Sequence, residues 1–435
     1  MTKHSLGGDQ VMRILRVSAP PVLPGFAEYF YFGLVAYGTL ADTLGLSVPL
    51  LSAGGMLLLA MYCVWRLRRS GNSTYKPIAL PLGCAISFLI VQIAVHGMSL
   101  MDDDLRVFVT WILGLIIIHS LSFREGFFHR FALAALALGA VLLSYIVRDY
   151  GNLTGPVERA GLEHSVGLAN PNDLAAWFGF LSIYFLILGI ETKRNIVRIA
   201  SWFVVTVCLF VVGLTVSRGA LLGIAISGVV SLRRILKRRF LPVLFLTVLG
   251  SLIFFSGLFD QVIGLYTERA TEETGRLLIW PLAIEGFLAS PIIGVGAPDT
   301  NIYIPLMMIY ESPHNSFIYL ALASGIVPLA FYAAYWIKAA RGAYHSSAQH
   351  IPEAPFQLPL LIYAFIIALV SNGSFMFPWS IVVLSTAMLA GAPRRVHRLI
   401  VRQIGSHEAV EHSQPRPETR HSPVRYQLRG RPPRG

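Results

Sequence analysis

The sequence predicts an all-α protein that crosses a membrane about twelve times, and three observations carry that prediction. The chain is 55% hydrophobic and only 13% charged, where a soluble domain carries about 25% charged residues. Its apolar residues gather into successive runs of about 15–23 positions, long enough to span a bilayer or nearly so. Lysines and arginines mark alternate connections between those runs, the asymmetry that sets orientation in a membrane.

Taken in order, the runs lie near 22–41, 46–65, 78–96, 105–121, 128–147, 171–190, 196–215, 218–232, 241–258, 316–337, 357–372 and 376–391. Basic connections begin with Arg66, Arg68, Arg69 and Lys76, then Arg124 and Arg130, then Lys193, Arg194 and Arg198. They continue with Arg233, Arg234, Lys237, Arg238 and Arg239, then Lys338 and Arg341, then Arg394, Arg395 and Arg398. The connections between are acidic or neutral: Asp42, the triplet Asp102-Asp103-Asp104, and the turn Asn372-Gly373-Ser374. By the positive-inside rule both termini are expected in the cytoplasm. The net charge of +12 therefore reads as a topology signal and not as a nucleic-acid surface.

Met1–Arg16 is polar and leads straight into the first run, so no cleavable signal is expected. Cys63, Cys84 and Cys208 lie inside or at the edges of apolar runs, with neither metal-ligand spacing nor a disulfide framework. After residue 402 the composition turns to Pro, Arg, His, Ser and Glu. Residues 1–402 are thus expected to form the membrane domain, and 403–435 a disordered, basic cytoplasmic tail.

One long polar stretch, 259–315, interrupts the alternation and is expected outside, carrying short helices. It is mostly acidic, with Arg269 and Arg276 its only strong bases. Arg276 opens a segment with apolar residues at helical spacing (Leu277, Trp280, Ile284 and Phe287 or Leu288), a face for the membrane surface or for other helices, and its helix N-terminus favours an anion. Such an arginine can hold a phosphate or pair with Glu272 or Glu273. Arg218 lies in a tight turn between two apolar runs and can either reach a lipid headgroup or grip a substrate phosphate with its planar fork. Gly219 and Ala220 beside it would let a bulky lipid head come close. Arg159 is a further outer-face cation and a weaker phosphate candidate.

His314 sits between Pro313 and Asn315 at an expected helix start, where the dipole favours neutral imidazole and hence proton acceptance. Asn170-Pro171-Asn172 reads as another helix start, with Asn170 as cap. Glu28, Gln92, His96 and His119 fall in or at the ends of runs and form no constellation readable from the sequence.

Four motifs in this order resemble the bacterial O-antigen ligase family, across roughly 150–330. They are Asn170-Pro171-Asn172, Thr215-Val216-Ser217-Arg218-Gly219-Ala220, Gly275-Arg276-Leu277-Leu278-Ile279-Trp280 with Pro291-Ile292-Ile293-Gly294-Val295-Gly296, and Pro313-His314-Asn315-Ser316. The superfamily also holds O-antigen polymerases and protein O-oligosaccharyltransferases.

The resemblance implies a GT-C-like glycosyltransferase of the bacterial inner membrane, working at the periplasmic face without a metal or other cofactor. Its donor would be a glycan on undecaprenyl diphosphate and, in the ligase branch, its acceptor the lipid A–core oligosaccharide. Carried over residue by residue, the phosphate-binding arginines fall on Arg218 and Arg276 and the essential histidine on His314, with Asn170, Asn172 and Asn315 in support. Two other classes compete with it: a transporter for lipid-linked sugars, which makes no bond, and a scaffold in envelope assembly.

Overall fold

The computed structural model describes residues 25–40, 49–69, 78–98, 103–122, 124, 126–151, 170–236, 276–304, 309–346 and 353–390. Thirteen α-helices occupy most of them. The first eight are α1 Gly25–Leu40, α2 Pro49–Arg69, α3 Ala79–Ala94, α4 Asp103–Leu121, α5 Phe127–Gly151, α6 Pro171–Glu191, α7 Asn195–Leu214 and α8 Arg218–Leu236. The rest are α9 Arg276–Ala289, α10 Ser316–Ser324, α11 Ile326–Ser346, α12 Ala354–Val370 and α13 Pro378–Ala390.

Helices stand at eleven of the twelve places the hydrophobic runs mark, while 241–258 and the tail 403–435 lie outside the described residues. Among the described residues, three segments are long and apolar enough to cross a membrane on their own: Phe127–Val147, Pro171–Glu191 and Asn195–Leu214. The chain is a helical membrane protein. Among the described residues the departure from all-α is one small hairpin, β1 Ile302–Ile304 and β2 Ile309–Glu311, antiparallel with Ile302 opposite Glu311.

Helix α6 lies at the centre, buried along nearly its whole length, because its apolar residues surround the axis instead of forming a stripe. Phe180 stacks on Trp379 of α13, with ring centroids 5.5 Å apart. The Tyr363 hydroxyl of α12 reaches the carbonyls of Ala175 and Ala176 at 3.3 and 3.1 Å, while Tyr184, later in α6, stacks on Phe356 near the start of α12 at 5.0 Å, so the helices are antiparallel and the start of α6 lies toward the end of α12. Buried Glu28 in α1 accepts from Arg130 Nε at 2.5 Å and Nη2 at 3.0 Å, with Arg124 Nη1 at 3.1 Å. That cluster joins the starts of α1 and α5 and gives the acid, unassigned from sequence, a structural partner set.

The apolar run 316–337 was expected as one span, and here the structure differs. The helix breaks at Gly325 (φ +79), giving nine-residue α10 and then α11. Phe317, near the start of α10, meets Tyr332 at 5.0 Å and Trp336 at 6.2 Å between ring centroids. Tyr332 is six residues into α11, about 9 Å along its axis at 1.5 Å per residue. Helix α10 therefore folds back along α11, and its N-terminus lies beside the flank of α11.

A loop at 291–297 fixes the break. The N–H groups of Val295 and Gly296 donate to the carbonyls of Leu322 and Ala323 (2.7 and 3.1 Å), and Ile326 N–H donates to Pro291 O at 2.8 Å. These bonds satisfy backbone groups that a broken helix would leave bare. Gln92 of α3, wholly buried, adds three more. Its amide nitrogen donates to Ala323 O (2.8 Å) and Ser324 Oγ (2.6 Å), and its oxygen accepts Ala297 N–H (2.8 Å). A Cβ on Gly325 would stand 2.1 Å from Ile292 O, and Gly294 (φ +68) is pressed equally against Leu322 O. The paired glycines follow from that close approach.

Candidate functional site

The site grows from the turn Ser312–Ser316, where almost every residue is held. Asn315 caps α10, its side-chain oxygen accepting the N–H groups of Phe317 (3.0 Å) and Ile318 (3.2 Å). Its own N–H donates to Asn372 Oδ1 at 2.9 Å, and Asn372 Nδ2 donates to Ser312 Oγ at 2.5 Å. Buried Ser316 directs its hydroxyl at the carbonyls of Ser371 and Asn372 (2.6 and 3.0 Å), with Ser374 Oγ 2.7 Å away. From the other side Trp280 of α9 donates its indole N–H to Pro313 O at 2.8 Å. His314 itself is a quarter exposed, and its Nε2 is bonded to the carboxylate of Glu311 at the end of β2.

Arg218 reaches this neighbourhood through α12. It is the first residue of α8, exposed, and no carboxylate among the described residues pairs with it. A Cβ on neighbouring Gly219 would lie 2.7 Å from Val370 Cγ2, and Val370 directly precedes Ser371 and Asn372. Gly219 and Ala220 thus serve close helix packing, Ala220 being wholly buried, and do not leave room for a lipid head as their size suggested. Arg276 is the first residue of α9, one helical turn before Trp280. Among the described side chains of α9, Ile279 and Ala283 are buried, while Ile284 and Leu288, at the helical spacing the sequence marks, are exposed.

Three helix N-termini therefore gather here, those of α8, α9 and α10, two of them opening on an arginine. Each contributes positive dipole character, and an arginine at such a position gains nothing from its own helix. An anion is what the arrangement suits. The backbone supports the same place. Val216 (φ +52) and His314 (φ +48) are the non-glycine residues with left-handed backbone among the described residues, and each lies two positions before a helix start. Such conformations cost on the order of 1–3 kcal/mol and persist where the surroundings hold them.

Asn170 is taken up in capping, its side chain accepting Asn172 N–H at 2.9 Å, and the contacts of Tyr363 put it at this same end of the bundle. Arg159 lies outside the described residues, as do Glu163 and His164. The sequence reading did not single out Glu311, Ser312 or Asn372 for the site. Glu311 stands three residues before His314, a spacing visible in the sequence, whereas the approach of Asn372 depends on how α12 ends.

The helix starts that carry Arg218, Arg276 and, two residues ahead of one, His314 thus lie at one end of a bundle of membrane helices. Residues 203–333 match the family model described as O-Antigen ligase. The superfamily comprises glycosyltransferase-like enzymes, ligases and polymerases. The match takes in Arg218, Arg276 and His314, begins after Asn172 and ends before Asn372. No curated protein matches the chain.

Proposed function

We propose that the protein is an O-antigen ligase of the bacterial inner membrane, with cytoplasmic termini. It moves a glycan from undecaprenyl diphosphate to the lipid A–core oligosaccharide at the periplasmic face. The observation that carries the reading is the gathering of the starts of α8, α9 and α10, with Arg218, Arg276 and His314 at or beside them. Arg218 and Arg276 bind the diphosphate and stabilise the charge that builds on it as the C1–O bond breaks. His314 takes the proton of the acceptor hydroxyl as its oxygen attacks C1. One displacement inverts the anomeric centre. The arginines supply the charge that a divalent metal supplies elsewhere, so the proposed reaction is metal-independent.

A transporter reading draws on the broken helix at Gly325, since transporters bind ions at such breaks. In this chain the carbonyls of Leu322 and Ala323 are already engaged by the 291–297 loop and Gln92, which favours a structural break. Transfer by purified protein tests the proposal, using lipid-linked glycan, lipid A–core and excess EDTA, without ATP. The expected product is glycosylated lipid A–core with inverted configuration. Extension of lipid-linked glycan alone would make the protein a polymerase. Movement of donor across a vesicle bilayer without a new bond would make it a transporter.

A further inference from the structure

The geometry points to Glu311 as the positioning residue for His314: its carboxylate holds Nε2–H, leaving Nδ1 as the atom that accepts the proton of the acceptor hydroxyl. The inference rests on the reading of His314 as the base and goes beyond it by naming the ring atom and its orienter. A carboxylate only accepts hydrogen bonds, so a neutral imidazole facing it carries its proton on Nε2. Nδ1 has no hydrogen-bond partner among the described residues, and the ring keeps an exposed edge.

Both partners are mounted on fixed backbone. Glu311 closes β2, paired in register with Ile302. His314 stands between Pro313, whose carbonyl Trp280 holds, and Asn315, whose N–H Asn372 holds. Its left-handed φ is imposed by those bonds, and it is the conformation that brings the ring back to a residue three positions earlier.

The step balances. An oxygen electron pair of the acceptor hydroxyl forms the bond to C1, and its proton passes to Nδ1. The C1–O bond breaks, and its pair leaves with undecaprenyl diphosphate. The imidazolium so formed is stabilised by Glu311, which stays a carboxylate, and the proton then passes to water. A base oriented by a third group is a general arrangement for activating a hydroxyl.

The test uses the purified full-length protein with ¹⁵N-labelled histidine, the His314 signal being the one lost in His314→Asn. Wild-type protein should show Nε2 protonated and Nδ1 unprotonated, and Glu311→Gln should show a mixture of the two tautomers. Glu311→Gln should slow saturated transfer about tenfold to a hundredfold, less than the roughly 10²–10⁴-fold expected for loss of the base itself. Its donor KM should stay unchanged, and Glu311→Asp should recover part of the rate. A wild-type His314 ring protonated on Nδ1 overturns the inference even if the Glu311 variants fail to fold. Full transfer by Glu311→Gln beside a slow His314→Asn overturns it while leaving the base in place. Full transfer by His314→Asn removes the base and, with it, the role given to Glu311.

Discussion

The side chain of Asn372 grips the turn on both sides of His314, accepting the N–H of Asn315 at 2.9 Å and donating to Ser312 Oγ at 2.5 Å. One amide from the end of α12 thus fixes where the imidazole starts. Asn372→Ala should remove both bonds and cost about 1–3 kcal/mol of stability. Transfer should fall well beyond what that loss of folded protein explains, with donor binding kept. Asp at 372 can accept both from the Asn315 N–H and from the Ser312 hydroxyl, so it should be milder. Thermal unfolding and single-turnover transfer on the same preparations check this, and equal effects of Ala and Asp would count against it.

The two arginines should differ from lysine in a measurable way. If Arg218 and Arg276 grip a diphosphate, lysine at either position restores charge without the planar fork and should rescue only partly. Alanine at either should abolish most transfer and weaken donor binding while the protein stays inserted. Normal transfer by both alanine variants would return these residues to a headgroup-anchoring role.

Sidedness can be read at one position. Asp299 lies exposed on a 3₁₀ turn of the loop joined to the α10–α11 break. The native cysteines Cys63, Cys84 and Cys208 are all buried, so Asp299→Cys gives a clean label. Impermeant reagent should reach it from the periplasm. Labelling from the cytoplasm alone would invert the proposed orientation.

The break in the helix is testable by adding one carbon. Gly325→Ala would put a Cβ about 2.1 Å from Ile292 O at a left-handed φ, so the 291–297 loop must move. We expect a loss of more than about 1 kcal/mol, seen as a lowered melting temperature in detergent, together with reduced transfer. An unchanged melting temperature would mean that the loop does not hold the break.

Most helices were legible because burial in a bilayer demands long apolar runs, which composition exposes directly. The break at Gly325 was not, since the run 316–337 stays apolar through it and hydropathy records no interruption. Gly325 with Pro328 three residues on is a stop-and-restart signal that could have marked it. Beside His314, a helix start capped by Asn315 or Ser316 was readable because capping is local chemistry, and the cap is Asn315. Asn372, Ser371 and Ser374 were not, because their contacts span more than fifty residues and depend on antiparallel packing of α8 against α12. Glu28 is the same case, its partner lying 102 residues away.

Gln92 has a practical consequence for anyone wishing to cut the chain down. The matched stretch at 203–333 contains Ala297, Ala323 and Ser324, yet the amide that joins them comes from α3, far upstream. The Asn372 amide and the Ser371 carbonyl that steady its turn at Ser312–Ser316 come from downstream. An excised fragment would carry the motif residues but lose the donors and acceptors that seat them. The matched stretch is threaded through a larger fold and is not an autonomous module, and moving it into another chain would require the flanking helices to travel with it.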